Sequence, residues 1–291
     1  MSPDLTRIES SHLSLTVSAL GAEMQSLCDH DGDEWLWQGD PDVWAGRAPV
    51  LFPIVGRAPD DCIAIGDHTA QMQQHGFARR SRFHLEQSSA SMCRYVLTAT
   101  QDTRALYPFD FSLSLTYSLD GPKLTVTAEV KNCSTDDMPF GFGFHPAFSW
   151  PLPGGEGRMH SVTLANGAEP LMARLETGLL TEKRHPSPFV NGMLSLEGGL
   201  FNEDAMIFPQ GAGTALSYGM VDGPCLKFHF ENLPNLALWS KPKAPFICVE
   251  PWHGMAAKIG TDRQISKRPF SMILKPTEAS LFSYSVCVAT G

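Results

Sequence analysis

Two short apolar runs in this chain each deliver one ionisable group and then a proline. The first reads Pro139-Phe-Gly-Phe-Gly-Phe-His145-Pro146-Ala-Phe148, and the second Pro245-Phe-Ile-Cys-Val-Glu250-Pro251-Trp252. Both runs belong in a core. Proline has no N–H and a fixed φ, so it is expected to end each ladder and fix the backbone beside the ionisable group. An imidazole and a carboxylate held this way form an acid/base couple able to give one proton and take another.

Other chemistries fit less well. The chain has no Gly-x-Ser-x-Gly elbow, no phosphate-binding P-loop and no His-Glu-x-x-His helix. Gly141-Phe-Gly143 lacks the third glycine and the helix of a dinucleotide site, so these glycines are read as a bulge or a close backbone approach. Glu250-Pro-Trp-His253 has the spacing of two metal ligands on a helix, but the intervening proline forbids that helix. No metal is expected.

The elements that must position His145 and Glu250 are strands. Phe111, Leu113, Leu115, Tyr117 and Leu119 alternate with serines and threonine, and Leu124, Val126, Ala128 and Val130 alternate with polar residues. Asp120-Gly121-Pro122 lies between the two runs, which predicts an antiparallel hairpin. Leu226, Phe228 and Phe230, and later Phe282, Tyr284, Val286 and Val288, repeat the alternation. Further strands are expected at Leu13 to Val17, Tyr95 to Ala99, Phe246 to Val249 and Met272 to Leu274. With 22 prolines, 25 glycines and no long helical periodicity, the reading is all-β. One large antiparallel sandwich spanning 1–291 is expected, with few short helices.

Composition excludes several partners. Net charge is -9 and the 22 Lys and Arg residues are dispersed, so no basic stripe for nucleic acid exists. The amino terminus carries no apolar segment of the signal-peptide kind, and Ala48 to Val55 is too short and too proline-broken to cross a bilayer. Seven scattered cysteines with no Cys-x-x-Cys pair argue for a reducing cytoplasm over a disulfide framework.

A sugar suits what remains. Pyranose rings offer CH-rich faces to aromatic rings and hydroxyls to a few fixed polar groups. Trp239 and Trp252 lie close in sequence to Glu250, whereas Trp35, Trp37 and Trp44 are read as packing residues. Arg57, His75 and Asp204 are candidate hydroxyl-binding groups at strand ends and turns. Read locally, each also fits a plain role: Arg57 in a salt bridge, His75 and Asp204 in turns, His253 as a mere neighbour of Trp252.

Taken in order, these segments resemble the aldose 1-epimerase (galactose mutarotase-like) family along almost the whole chain. The signposts are Gly21-Ala-Glu-Met-Gln-Ser-Leu27, Leu36-Trp-Gln-Gly39 with Trp44, and Ala48-Pro-Val-Leu-Phe-Pro-Ile-Val-Gly-Arg57. They continue through His75-Gly-Phe-Ala-Arg79, Gly143-Phe-His-Pro-Ala-Phe148, Asp204-Ala205, Val249-Glu-Pro-Trp252 and Leu274-Lys-Pro276. The chain looks closest to a bacterial subgroup carrying the Val-Leu-Phe-Pro-Ile-Val-Gly-Arg segment. It departs from galactose mutarotases proper at Phe144-His145-Pro146 and at Glu250-Pro251-Trp252. The acid and base stay in place there, and the identity of the sugar is left open.

The resemblance implies a large twisted β-sandwich, the galactose mutarotase-like supersandwich, with an open sugar cleft. It implies an aldose 1-epimerase interconverting α and β anomers of a hexose or related aldose, with His145 as general acid and Glu250 as general base. Arg57, His75 and Asp204 would bind hydroxyls, with Trp252 beside them, and no cofactor would be needed. Two alternatives stay open: a mutarotase for a phosphorylated sugar, for which Arg47, Arg79 and Arg80 are candidate cations, and a non-catalytic carbohydrate sensor. A glycosidase would require a spaced carboxylate pair such as Glu250 with Asp204. The expected partner is a small sugar, with neither nucleic acid nor membrane, and the state a monomer or homodimer.

Overall fold

The computed structural model describes residues 4–290. Two large antiparallel sheets dominate it, of nine and eight strands. The nine-stranded sheet is centred on the predicted hairpin, Phe111–Asp120 with Lys123–Asn132, turning through Gly121-Pro122. Its odd-numbered apolar residues from Phe111 to Leu119 are all buried, as the alternation requires. The C-terminal strand Ala279–Ala289 pairs with the hairpin on one side and with Cys225–Glu231 on the other.

In the eight-stranded sheet, Phe246–His253 is the central strand. Asn235–Trp239 pairs along one edge, and two short strands, Phe142–Phe144 and Ala147–Ser149, pair along the other. The side chains of Ile247, Val249, Leu236 and Leu238 join Val126, Phe228 and Phe282 of the other sheet in one core. Burying each such side chain contributes roughly 1.5–3 kcal/mol. The alternate residues of the same strands therefore emerge on the face turned away from the nine-stranded sheet. They include Ala237, Cys248, Glu250 and Trp252.

Helix is sparse, as expected: among the described residues the one α-helix is Gln101–Leu106, capped by Thr100 and Thr103. None is long and apolar enough to cross a membrane.

One expectation needs correction. Pro251 does not end its strand, which runs on to His253 with Pro251 opposite Leu236. The neighbouring edge explains why. The Val249 N–H donates to Pro146 O (3.1 Å), and residue 251 faces the same way. There it meets the break between Phe142–Phe144 and Ala147–Ser149, where no N–H is required.

Candidate active site

That break builds the site. Gly143 is paired with Trp252 and Ala147 with Cys248, so the register carried across the gap sets His145 opposite Glu250. Both side chains leave the outer face, and His145 Nε2 lies 3.2 Å from Glu250 Oε2. Each is buried, at 7% and 2% exposure, yet both line a cleft of about 410 Å³. Among the described residues, His145 Nδ1 has no hydrogen-bond partner from another side chain.

Aromatic rings grip the imidazole. Trp44 stacks on it with ring centroids 5.2 Å apart, and Trp239 and His75 approach edge-on at 5.7 Å and 5.6 Å. Trp44 thus packs on Phe246 and its cluster, as the sequence reading has it, and also lines the cleft, which that reading did not place it in. It comes from a loop, and nothing in local periodicity signals where a loop tryptophan lands. The reading of Trp35 and Trp37 as packing residues agrees with their bonds: Trp35 Nε1 donates to Asp29, and Trp37 Nε1 to the Trp44 carbonyl.

His75, Asp204 and Trp252 also line the cleft. His75 has φ 68°, and its Nδ1 accepts from the Gly56 N–H (3.1 Å). Asp204 Oδ1 accepts from Trp239 Nε1 (3.0 Å), which ties that indole to the rim. Trp252 packs its ring across Gly143, where a Cβ would sit 2.5 Å from Trp252 Cδ1, so the close neighbour there is a side chain and not the backbone or bulge expected.

Arg57 is not brought to this wall. Its guanidinium makes a two-pronged ion pair with Asp61, at 2.7 Å and 2.6 Å, and a further bond to Thr177 O. A carboxylate four residues on satisfies the cation locally, the plain reading of this residue. The cations lining the cleft are Arg79, Arg80 and Lys241. Arg47 is elsewhere, its Nη1 bonded to Gln25. The segment from His75 to Arg79 held the signal for Arg79; Lys241 had none. His253 faces away from the cleft and bonds to Asn232 O (2.9 Å).

Burial governs the electrostatics. It pushes the Glu250 carboxyl well above the usual carboxylate range, helped by the negative Asp204 and opposed by Arg79. The Trp252 indole N–H also favours the charged carboxylate, though it falls outside hydrogen-bond geometry. Burial drives His145 well below an ordinary imidazole, with His75 and Arg79 adding to it. His75 is lowered to about 3, by burial first and then by Arg79, Arg80 and Arg268. Burial therefore favours the neutral form of each member of the contact pair, with the shared proton on the carboxyl. Proton transfer within the pair gives the alternative form, imidazolium beside carboxylate.

The family model for aldose 1-epimerase matches residues 4–183. Protein LacX (plasmid) of Lactococcus lactis subsp. lactis is 30% identical over 294 residues, covering 97% of this chain and 98% of its own. A galactose mutarotase related enzyme from Lactobacillus acidophilus superposes with a TM-score of 0.92 at 28% identity, covering 98% of this chain and 97% of that one. A galactose mutarotase-like protein from Lactobacillus casei gives 0.89 at 26% identity, over 98% and 100% of the two chains. With a sandwich of that architecture and a match running the length of the sequence, the chain belongs to the aldose 1-epimerase family.

Proposed function

We propose that the protein is a mutarotase that interconverts the α and β anomers of a free aldose. The observation that carries this is the 3.2 Å contact of His145 Nε2 with Glu250 Oε2 at the wall of an aromatic cleft. Anomer exchange opens the ring at C1, rotates about C1–C2 and recloses on the other face. Opening needs a proton delivered to the ring oxygen and one withdrawn from the C1 hydroxyl. Those two oxygens are bonded to one carbon, so the groups serving them must be neighbours.

In this reading His145 serves the ring oxygen and Glu250 the C1 hydroxyl. As imidazolium and carboxylate, the pair gives one proton and takes one, leaving a neutral imidazole and a carboxylic acid. That neutral form accompanies the open-chain aldehyde, and reclosure reverses both transfers. The two forms of the pair are then the two states between which turnover alternates, and protons balance without solvent exchange or a cofactor. Trp44, Trp239 and Trp252 would supply apolar walls for the ring, and His75 and Asp204 would bind hydroxyls. A cleft of about 410 Å³ is of the size that encloses small ligands. The seven free thiols suit a reducing, cytoplasmic setting.

A second reading shares the chemistry but adds a phosphate to the sugar. Arg79, Arg80 and Lys241 favour it: all three line the same cleft, and none forms a salt bridge with a carboxylate of the described residues. A pure sensor has less support, because a binder needs no proton-transfer pair. Polarimetry of freshly dissolved α-anomers, across free and phosphorylated aldoses, tests both readings. Acceleration of the free sugar supports the first, acceleration confined to the phosphorylated one supports the second, and none at all overturns both.

A further inference from the structure

Glu250 has neighbours that can hold a metal as well as a proton. Cys248 lies two residues earlier on the same strand, so its side chain leaves the same face. His145 stands across the gap in the neighbouring ladder. One ligand atom from each of His145, Cys248 and Glu250 lies within 4.8 Å of the others, and all three residues are buried. The pair that sequence spacing had raised, Glu250 with His253, is three apart on a strand and therefore faces opposite ways.

We propose that His145, Cys248 and Glu250 form a binding site for a thiophilic divalent cation such as zinc, whose occupancy blocks the proton-transfer pair. Tetrahedral zinc with bonds of about 2.0–2.3 Å sets its ligand atoms roughly 3.3–3.8 Å apart. The Nε2 to Oε2 distance of 3.2 Å is already close to that spacing. A sulfur and a nitrogen or oxygen on the same zinc lie about 3.5 Å apart, so from the 4.8 Å limit the sulfur needs to close about 1.3 Å at most on either partner, within reach of a side-chain rotation.

The ligand set decides the class of ion. Imidazole, thiolate and a single carboxylate suit zinc, and oxygen-seeking magnesium or calcium would gain little from them. The thiol gives up its proton on ligation, as metal-bound cysteine does. Three protein ligands leave the fourth position facing the cleft. Held by the ion, neither Nε2 nor the carboxylate can exchange a proton with a sugar. Cys248 does not line the cleft and has no part in the proposed turnover, so it serves the metal alone.

The site is tested with cobalt(II) and zinc alone, independently of any sugar. Cobalt(II) titrated into the reduced protein is expected to give a near-ultraviolet sulfur-to-metal absorption band that zinc displaces and that Cys248→Ala removes. Loss of a group that merely orients a ligand costs about 10–100-fold in metal affinity, so loss of the thiolate is expected to weaken zinc binding by at least that range. Cys248→Ser, with thermal melts of both variants, separates loss of ligation from loss of fold. On a sugar that the protein mutarotates, zinc is expected to inhibit reversibly with chelator, with Cys248→Ala active but resistant. Absence of the band in the wild type, or equal zinc affinity in folded Cys248→Ala, overturns the site. Because the titrations use no substrate, their outcome stands apart from whether mutarotation is the activity.

Discussion

His145 and Glu250 are cross-strand partners, set opposite each other at the one point where their ladder is broken. An unbroken strand would have fixed residue 145 in regular pleat and required an N–H at residue 251. The break instead frees the imidazole to lean onto the carboxylate, while the flanking pairs, Gly143 with Trp252 and Ala147 with Cys248, keep it in register. Rigid strands thus supply the positioning that the proposed proton transfer would need.

His145→Gln and Glu250→Gln each preserve shape and remove proton transfer. Each is expected to lower kcat for mutarotation by about 10²–10⁴-fold. Polarimetry or anomer-exchange NMR reads the rate, and circular dichroism checks the fold. Full activity in either folded variant sinks the assignment.

Asp204→Ala removes the acceptor that holds the Trp239 indole and a proposed hydroxyl partner. A lost hydrogen bond to a charged group is worth about 1.5–3 kcal/mol, so KM is expected to rise about tenfold or more with a smaller change in kcat. A change in tryptophan emission should accompany it. Collapsed turnover at unchanged KM would move Asp204 into the proton relay.

Gly143→Ala would place a Cβ against Trp252 Cδ1. Overpacking of this kind costs about 1–3 kcal/mol and should tilt the indole into the cleft, raising KM. Gly198→Ala meets open space and is expected to stay within about 0.5 kcal/mol of wild type. Urea midpoints and kinetics together decide, and a Gly143→Ala variant as stable as wild type would contradict the contact.

Acid should destabilise the fold through its buried histidines. His75 stays neutral down to about 3, whereas an unfolded histidine protonates near 6.5. As pH falls the unfolded chain binds the proton first. The stability from neutral His75 is thus complete above about 6.5 and declines between there and about 3, by about 1.4 kcal/mol per pH unit. His145, His160 and His253 are lowered too, mainly by burial, and add to the decline. Urea unfolding at pH 7 and pH 4.5 should show the drop, and His75→Gln should lessen it by one proton's share. An identical slope in that variant would refute the role of His75.

If the phosphorylated sugar is the substrate, Arg80→Ala should lower kcat/KM for it by about tenfold, the scale of one charge-assisted contact, and spare the free sugar. Equal effects on the two would remove the phosphate from the argument.

Local pattern carried much of this molecule. Alternating residues from Phe111 to Val130 set a hairpin and its buried face, because side-chain direction on a strand depends only on parity. A histidine and a glutamate at the ends of apolar runs marked themselves as costly groups with a purpose. Partnership did not follow from parity. Which strand lies beside which, and in what register, is settled by non-local packing of the two sheets, and that alone put His145 against Glu250 and Cys248. The same packing brought Trp44 to the cleft from a loop, while a nearby carboxylate, Asp61, drew Arg57 away from it. Sequence determined the strands, their faces and the groups able to do chemistry; tertiary structure chose which of those groups meet, since contact energy is gained only once distant strands have paired.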